Sequence, residues 1–234
     1  MTVRIGTSGW HYASWKGPFF PEGLKAKDQL RFYASQFPTT ELNGVFYRTP
    51  TERAVESWRD QTPDDFVFAW KASKFITHWK RLSDQSVNSL ELLESRLSLL
   101  GRKAGPVLFQ LPPQFELNYE RLQAFLKMLN RRRRYTFEFR HPSWFDDEVL
   151  ALLRSQNRVL CISDRDEMPL DHIDKTADWG YVRLRRVNYS DSDLKQWAKR
   201  IKAQKWKDTY VFFKHEDEGT GPKLAAQFHR LARL

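Results

Sequence analysis

The chain has 234 residues, with 39 Lys and Arg against 29 Asp and Glu, and so a formal net charge of +10. Charged residues at 29% and apolar ones at 41% are those of an ordinary globular protein with enough chain for a substantial core. A lone cysteine, Cys161, excludes an intrachain disulfide and a cysteine metal site.

Val3 to Ser8 reads as a short strand ending in Gly6-Thr7-Ser8-Gly9, the small-residue punctuation of a turn. An aromatic loop follows, in which Trp10, His11, Tyr12, Trp15, Phe19 and Phe20 are interrupted by Gly17, Pro18 and Pro21. Leu30, Tyr33, Ala34 and Phe37 at helical spacing predict a helix over 27–37, and a second strand follows over 39–43. Thr51 is placed to cap a helix that runs to Asp60. The unit then repeats. A strand over 66–71 leads through a long basic loop to a helix over 86–100. A strand over 106–111, closed by Pro112-Pro113, precedes a helix over 119–129. The fifth strand starts at Tyr135 and has its helix over 147–154. The sixth, over 158–162, is followed by a polar stretch that predicts a short or irregular sixth helix. Strands over 180–185 and 209–214 carry helices over 191–203 and 222–234.

Eight strand–helix alternations without a composition break predict an α/β fold, a single (β/α)8 TIM barrel forming one domain over residues 1–234. The competing open doubly wound sheet would carry a glycine-rich dinucleotide fingerprint after its first strand, and this chain has none. No apolar run is long enough to span a bilayer, and the chain enters its first strand without a signal-peptide core. A soluble cytoplasmic protein is therefore expected.

The motifs IGTSGW (5–10), ELNGVFYRTP (41–50), ITHWKRL (76–82), FQLPPQF (109–115) and FEFRHPSW (137–144) together resemble the YecE-like family, domain of unknown function 72. FKHEDEGTGPKLA (213–225) is similar to the ending of one branch, although other members have asparagines at the positions of Lys214 and His215. The resemblance implies a TIM barrel related in architecture to sugar isomerases and an apurinic endonuclease. It implies no particular reaction, so the site rests on the residues.

The fifth strand shows where to look. Side chains alternate across a strand, so Phe137 and Phe139 share one face and Thr136, Glu138 and Arg140 the other. His141-Pro142 then ends it, because Pro lacks the N–H that a ladder needs. An acid and a base two residues apart on one face point to a polar site at the strand's end. Barrel enzymes work at that end. The others there are Thr7 and Ser8, Glu41 and Asn43, Lys71, Gln110, Ser163 and Asp164, Arg183 and Arg185, Lys214 and His215. Buried parallel strands are ordinarily apolar throughout, so polar ends on all eight indicate function. The alternative is a buried, mutually satisfied ion network that only fixes register.

Glu138, Lys71 and Glu41 are the candidate catalytic residues: Glu138 as acid/base, Lys71 as a base, an electrostatic stabiliser or, with burial lowering its pKa, a catalytic amine. Lys71 has the competing role of partner to Glu41 or Glu138. Trp10, Asn43, Tyr47, Gln110, Arg140, His141, Arg183, Arg185 and Lys214 are the candidate ligand-binding residues, with Arg140, Arg183 and Arg185 as an anion clamp. Gly219-Thr220-Gly221-Pro222 at the start of the last helix is a further anion-binding candidate. Glycoside cleavage needs paired carboxylates, and strands four and seven offer Gln110 and Arg185 instead. Glu41, Glu138, Asp164, His78, His141 and His215 are suitable metal ligands without the spacing that makes a set, so no cofactor is expected and a divalent metal has weak support. Cys161, mid-strand between Leu160 and Ile162, reads as a buried inert thiol. The aromatic loop suits a lid. The run Arg131 to Arg134 falls on the face opposite the mouth. The expected function is an enzyme (isomerase, lyase or hydrolase-like) acting on a small anionic metabolite, with no membrane partner. The alternative is a nucleic-acid-binding or processing protein using the basic surface.

Overall fold

A computed structural model describes residues 1–166 and 173–232. Its strands are β1 (Thr2–Ser8), β2 (Thr39–Leu42), β3 (Val67–Lys71), β4 (Ala104–Gln110), β5 (Tyr135–Glu138), β6 (Val159–Leu160), β7 (Ile162–Asp164), β8 (Gly180–Leu184) and β9 (Asp208–Phe213). They form one sheet in the order β6-β5-β4-β3-β2-β1-β9-β8-β7, and every pairing is parallel. The two ends of that order are separated only by Cys161. The expected sixth strand is therefore split into two short pieces, one pairing with β5 and the other with β8, and the barrel closes through the chain itself.

The helices are α1 (Gln29–Gln36), α2 (Glu52–Asp60), α3 (Val87–Leu100), α4 (Tyr119–Met128), α5 (Asp147–Ser155), α6 (Asp191–Ala203) and α7 (Thr220–Ala232). Several start where a short polar side chain satisfies a free backbone N–H: Thr51 for α2, Asn118 for α4, Asp146 for α5, and a Ser190–Asp193 capping box for α6. Among the described residues between β7 and β8 there is no helix, and the rest of that polar stretch lies outside them.

Two apolar clusters place the site. The larger lies between strands and helices and includes Phe109, Phe125, Phe137 and Leu153. The smaller fills the barrel and includes Ala69, Leu108, Cys161, Tyr181 and Phe212. Two residues further along the same strand faces come Lys71, Gln110, Ser163 and Arg183. The barrel is thus apolar below and charged at its C-terminal mouth. Beside it, Tyr33 ties α1 to the sheet. Its hydroxyl accepts from Thr7 N (2.9 Å) and Thr7 Oγ1 (2.8 Å) and donates to the Thr39 carbonyl (3.0 Å). Gly6 allows that approach, because a Cβ there would stand 2.0 Å from the Thr39 carbonyl oxygen.

Candidate active site

Three strand-end side chains form a closed ion network at the top of the barrel. Arg183 donates from Nη2 to Glu41 Oε1 (2.8 Å) and from Nη1 to Glu138 Oε2 (2.5 Å), and all three side chains are at most 1% exposed. Glu41 also accepts from Ser8 Oγ (2.6 Å) and from the Tyr181 hydroxyl (2.6 Å). Glu138 Oε1 meets Arg140 Nε and Arg185 Nη1, each at 3.3 Å. Gln110, paired with Glu138 in register, adds a side-chain hydrogen bond.

Burial pushes both carboxyls up, but the guanidiniums overcome it. Arg183 together with the Ser8 and Tyr181 hydroxyls holds Glu41 below the usual range. Arg183, Arg185 and Arg140 hold Glu138 far below it. A carboxylate held down by three guanidiniums anchors them and does not carry protons near neutral pH. The acid/base role expected of Glu138 therefore has no support in its surroundings. Arg183 likewise leaves the expected anion clamp, because its guanidinium already bridges two buried acids.

Lys71 is placed differently. It is buried, yet among the described residues its Nζ donates only to Asn43 Oδ1 (3.3 Å), and it lies 3.9 Å from the centre of the Phe46 ring. Among the described residues no carboxylate pairs with it, contrary to the structural role the sequence allowed. Burial, then the charge of Arg183, pushes its ammonium down to about 7, against the pull of Glu41 and Glu138. Lys71 and Asn43 open on a cleft of about 510 Å3 that is also lined by Trp10, Tyr12, Tyr47 and Lys214. Lys214 is depressed by burial and by Arg185, and its nearest acid is Glu216 at 3.8 Å. Trp10 packs edge-on against Trp58 (5.4 Å), while Tyr47 stands 67% exposed at the rim. Arg140 and Arg185 keep side chains 20% and 17% exposed, and Arg185 Nε has no partner among the described residues.

Other expectations are redistributed. His141 does not reach the cleft; its Nδ1 accepts from Ser143 N (3.3 Å) and caps the turn over Pro142–Trp144. Asp164 Oδ2 accepts from Arg186, Tyr189 and Trp197 at 2.9, 2.9 and 3.0 Å, which leaves it a structural anchor. The aromatic loop is divided: Trp15 and Phe20 are core, so it is not a lid as a whole, and only Trp10, His11 and Tyr12 face the cleft. It also covers the start of α7, where a Cβ on Gly219 would meet Pro18 at 3.1 Å and one on Gly221 would meet Trp15 at 3.3 Å. Gly219 and Pro222 line a separate cleft of about 620 Å3 with Pro18, Phe19 and Lys223, which shares no residue with the cleft at Lys71, so the helix start does not join the anion site expected at the mouth. Among the described residues no three His, Cys, Asp or Glu side chains group as metal ligands.

Three further residues contribute: Tyr181, which the sequence did not single out, Tyr12, expected only as part of the aromatic loop, and His78, expected only as a suitable metal ligand. Tyr181 lies two residues before Arg183 on the same strand face, a spacing that could have revealed it. Tyr12 donates to the Ser8 carbonyl (2.6 Å) and folds over Gly9, whose left-handed φ of +89° admits that turn. His78 sits on a π-helical turn over Phe75–Trp79, in the stretch expected to be plain loop. Burial and then the charges of Lys71 and Arg140 push it down to about 4, so it is neutral at physiological pH.

A parallel barrel closed through the chain, with a charged, water-accessible mouth, defines an α/β-barrel protein. The chain belongs to the family of proteins of unknown function DUF72, whose model matches residues 4–234. It is similar to the UPF0759 protein YunF of Bacillus subtilis, 24% identical over 93% of this chain and 90% of that protein. The UPF0759 protein YecE of Escherichia coli K12 is 31% identical over 61% of this chain and 50% of that protein. The crystal structure of a DUF72 family protein from Thermotoga maritima superposes over the full length of both chains with a TM-score of 0.87 at 27% identity. No described helix is long and apolar enough to cross a membrane.

Proposed function

We propose that this protein is an enzyme whose barrel mouth binds a small polar anion, a phosphate- or carboxylate-bearing metabolite, with Lys71 as the group that exchanges a proton. The observation that carries this reading is the excess of cations over acids at the barrel mouth, where Lys71 and Lys214 open on the cleft. Lys71, Arg140, Arg183, Arg185 and Lys214 gather at the strand ends, against three acids: Glu41 with Arg183, Glu138 shared by Arg183, Arg140 and Arg185, and Glu216 beside Lys214. Low-dielectric walls strengthen such a field. An amine titrating near neutrality is matched to general-base work at physiological pH, which neither glutamate is. Thermal unfolding in inorganic phosphate tests the reading. A ligand at 100 times its Kd adds about 2.7 kcal/mol of stability, so the melting temperature should climb with phosphate in the parent and barely move in Arg185→Gln. Equal climbs in both proteins would overturn it.

The nucleic-acid alternative has one observation in its favour: Tyr47 and Trp79 are 67% and 64% exposed, with Lys74 Nζ 5.7 and 5.0 Å from their ring centres. Exposed rings beside a cation suit base stacking. Retention of single-stranded RNA or DNA that weakens steeply with salt, and is lost in Trp79→Ala, would favour it.

A further inference from the structure

We propose that Lys71 is a covalent catalyst, whose Nζ attacks the carbonyl carbon of an anionic aldehyde or ketone and holds it as a Schiff base. This deepens the anionic-metabolite reading and rests on it. Lys71 is the only lysine at the cleft whose nitrogen contacts no carboxylate among the described residues; Lys214 keeps Glu216. Its Nζ is oriented by Asn43 Oδ1 at 3.3 Å, and the Phe46 ring face lies at 3.9 Å. The cleft of about 510 Å3 in front of it accommodates a small metabolite.

The chemistry fits that placement. A nucleophilic amine must be unprotonated, and Lys71 is pushed down to about 7 by burial and by Arg183. The neutral nitrogen uses its lone pair to form a C–N bond to the carbonyl carbon, and the carbonyl π electrons move to oxygen. The nitrogen then loses a proton and the oxygen gains one, giving a carbinolamine. A second proton from solvent in the open cleft lets that oxygen leave as water, and the remaining C=N is a cationic iminium. No oxidant or reductant is involved. The product is a cation next to an aromatic face, which a ring quadrupole favours, and above Glu41 and Glu138, whose charges favour a positive nitrogen at this place. Lys214, Arg185 and Arg140 remain for the substrate's phosphate or carboxylate.

The test uses the intact protein and two carbonyl probes, glycolaldehyde phosphate and glyoxylate, at near-neutral pH with cyanoborohydride. The reductant delivers hydride to the iminium carbon and fixes the adduct as a secondary amine, which peptide mapping by mass spectrometry then locates. Ordinary lysines have a pKa of about 10.4 and are almost wholly protonated there, so Lys71 should be labelled at least about tenfold faster than any other lysine. Excess inorganic phosphate should slow that labelling, and Lys71→Met, with its fold checked by circular dichroism, should carry no fast adduct. Labelling spread over surface lysines with Lys71 unmodified, while calorimetry still shows phosphate binding, overturns the Schiff base and leaves the anionic site standing. Fast labelling of Lys71 that phosphate does not slow, with no phosphate binding by calorimetry, overturns the anionic substrate class.

Discussion

Arg183 and Lys71 occupy the same polar layer of the barrel, yet one is closed off and the other is available. Arg183 bridges two acids and has no exposed surface; Lys71, equally far along its strand, meets an amide oxygen and a ring. The difference separates a floor, Glu41–Arg183–Glu138, from a rim of Lys71, Arg140, Arg185 and Lys214. A buried charge with partners fixes geometry, whereas a buried charge without a counter-ion has a shifted pKa and chemistry to offer. Substitutions can break the floor and the rim separately.

Breaking the floor should have the largest effect. Glu138→Gln leaves three guanidiniums facing a neutral amide, and removal of one partner of a buried pair costs about 3–5 kcal/mol. Denaturant unfolding should show that loss. A variant as stable as the parent but without ligand binding would return Glu138 to a catalytic role.

Next comes the pH dependence of stability. Burial depresses Lys71 to about 7, against about 10.4 in the unfolded chain. Between those values the unfolded chain binds the extra proton, so this residue makes stability rise with pH across the window. Below about pH 7 the full penalty of the buried charge applies. Lys71→Met should therefore gain most over the parent below pH 7, by on the order of 4 kcal/mol, and the gain should fade towards pH 10. A pH-independent difference would place the Lys71 pKa near its ordinary value.

The smallest effect belongs to the opposite end of the barrel. Arg133 pairs with Glu94 (3.1 Å) and Arg134 with Asp208 (2.7 Å), both partly exposed. Replacing Arg131 to Arg134 with serine should cost about 1 kcal/mol and leave phosphate binding at the mouth unchanged. Lost phosphate binding in the folded variant would contradict the separation of the two ends.

Much of this architecture was legible because it is written in short-range pattern. Thr51 and the helical spacing of Leu30, Tyr33 and Ala34 marked elements directly, and the polar residues ending each strand marked the mouth. The division between floor and rim was not legible. Glu41, Glu138 and Arg183 are far apart in sequence and meet only when the barrel closes, so the chain alone did not say which arginine the acids would take. The break at Cys161 depends on two neighbouring strands, and the covering of the α7 start by Pro18 and Phe19 is a contact across almost the whole chain. His78 was visible as a residue, but the π-helical turn that brings it beside Lys71 has no simple sequence signal.

The most direct test of the account is calorimetry of inorganic phosphate with the parent and with the double variant Arg140→Gln/Arg185→Gln, alongside their melting temperatures. Glu138 keeps its 2.5 Å contact with Arg183 in that variant and loses only the 3.3 Å contacts with Arg140 and Arg185, so the floor should hold and the melting temperature should fall by less than in Glu138→Gln. The rim loses two cations, each hydrogen bond to a charged group being worth about 1.5–3 kcal/mol, so affinity should fall by at least about tenfold. Unchanged affinity, or a collapse in melting temperature that accounts for the loss, would contradict the division of the mouth into a structural floor and a binding rim.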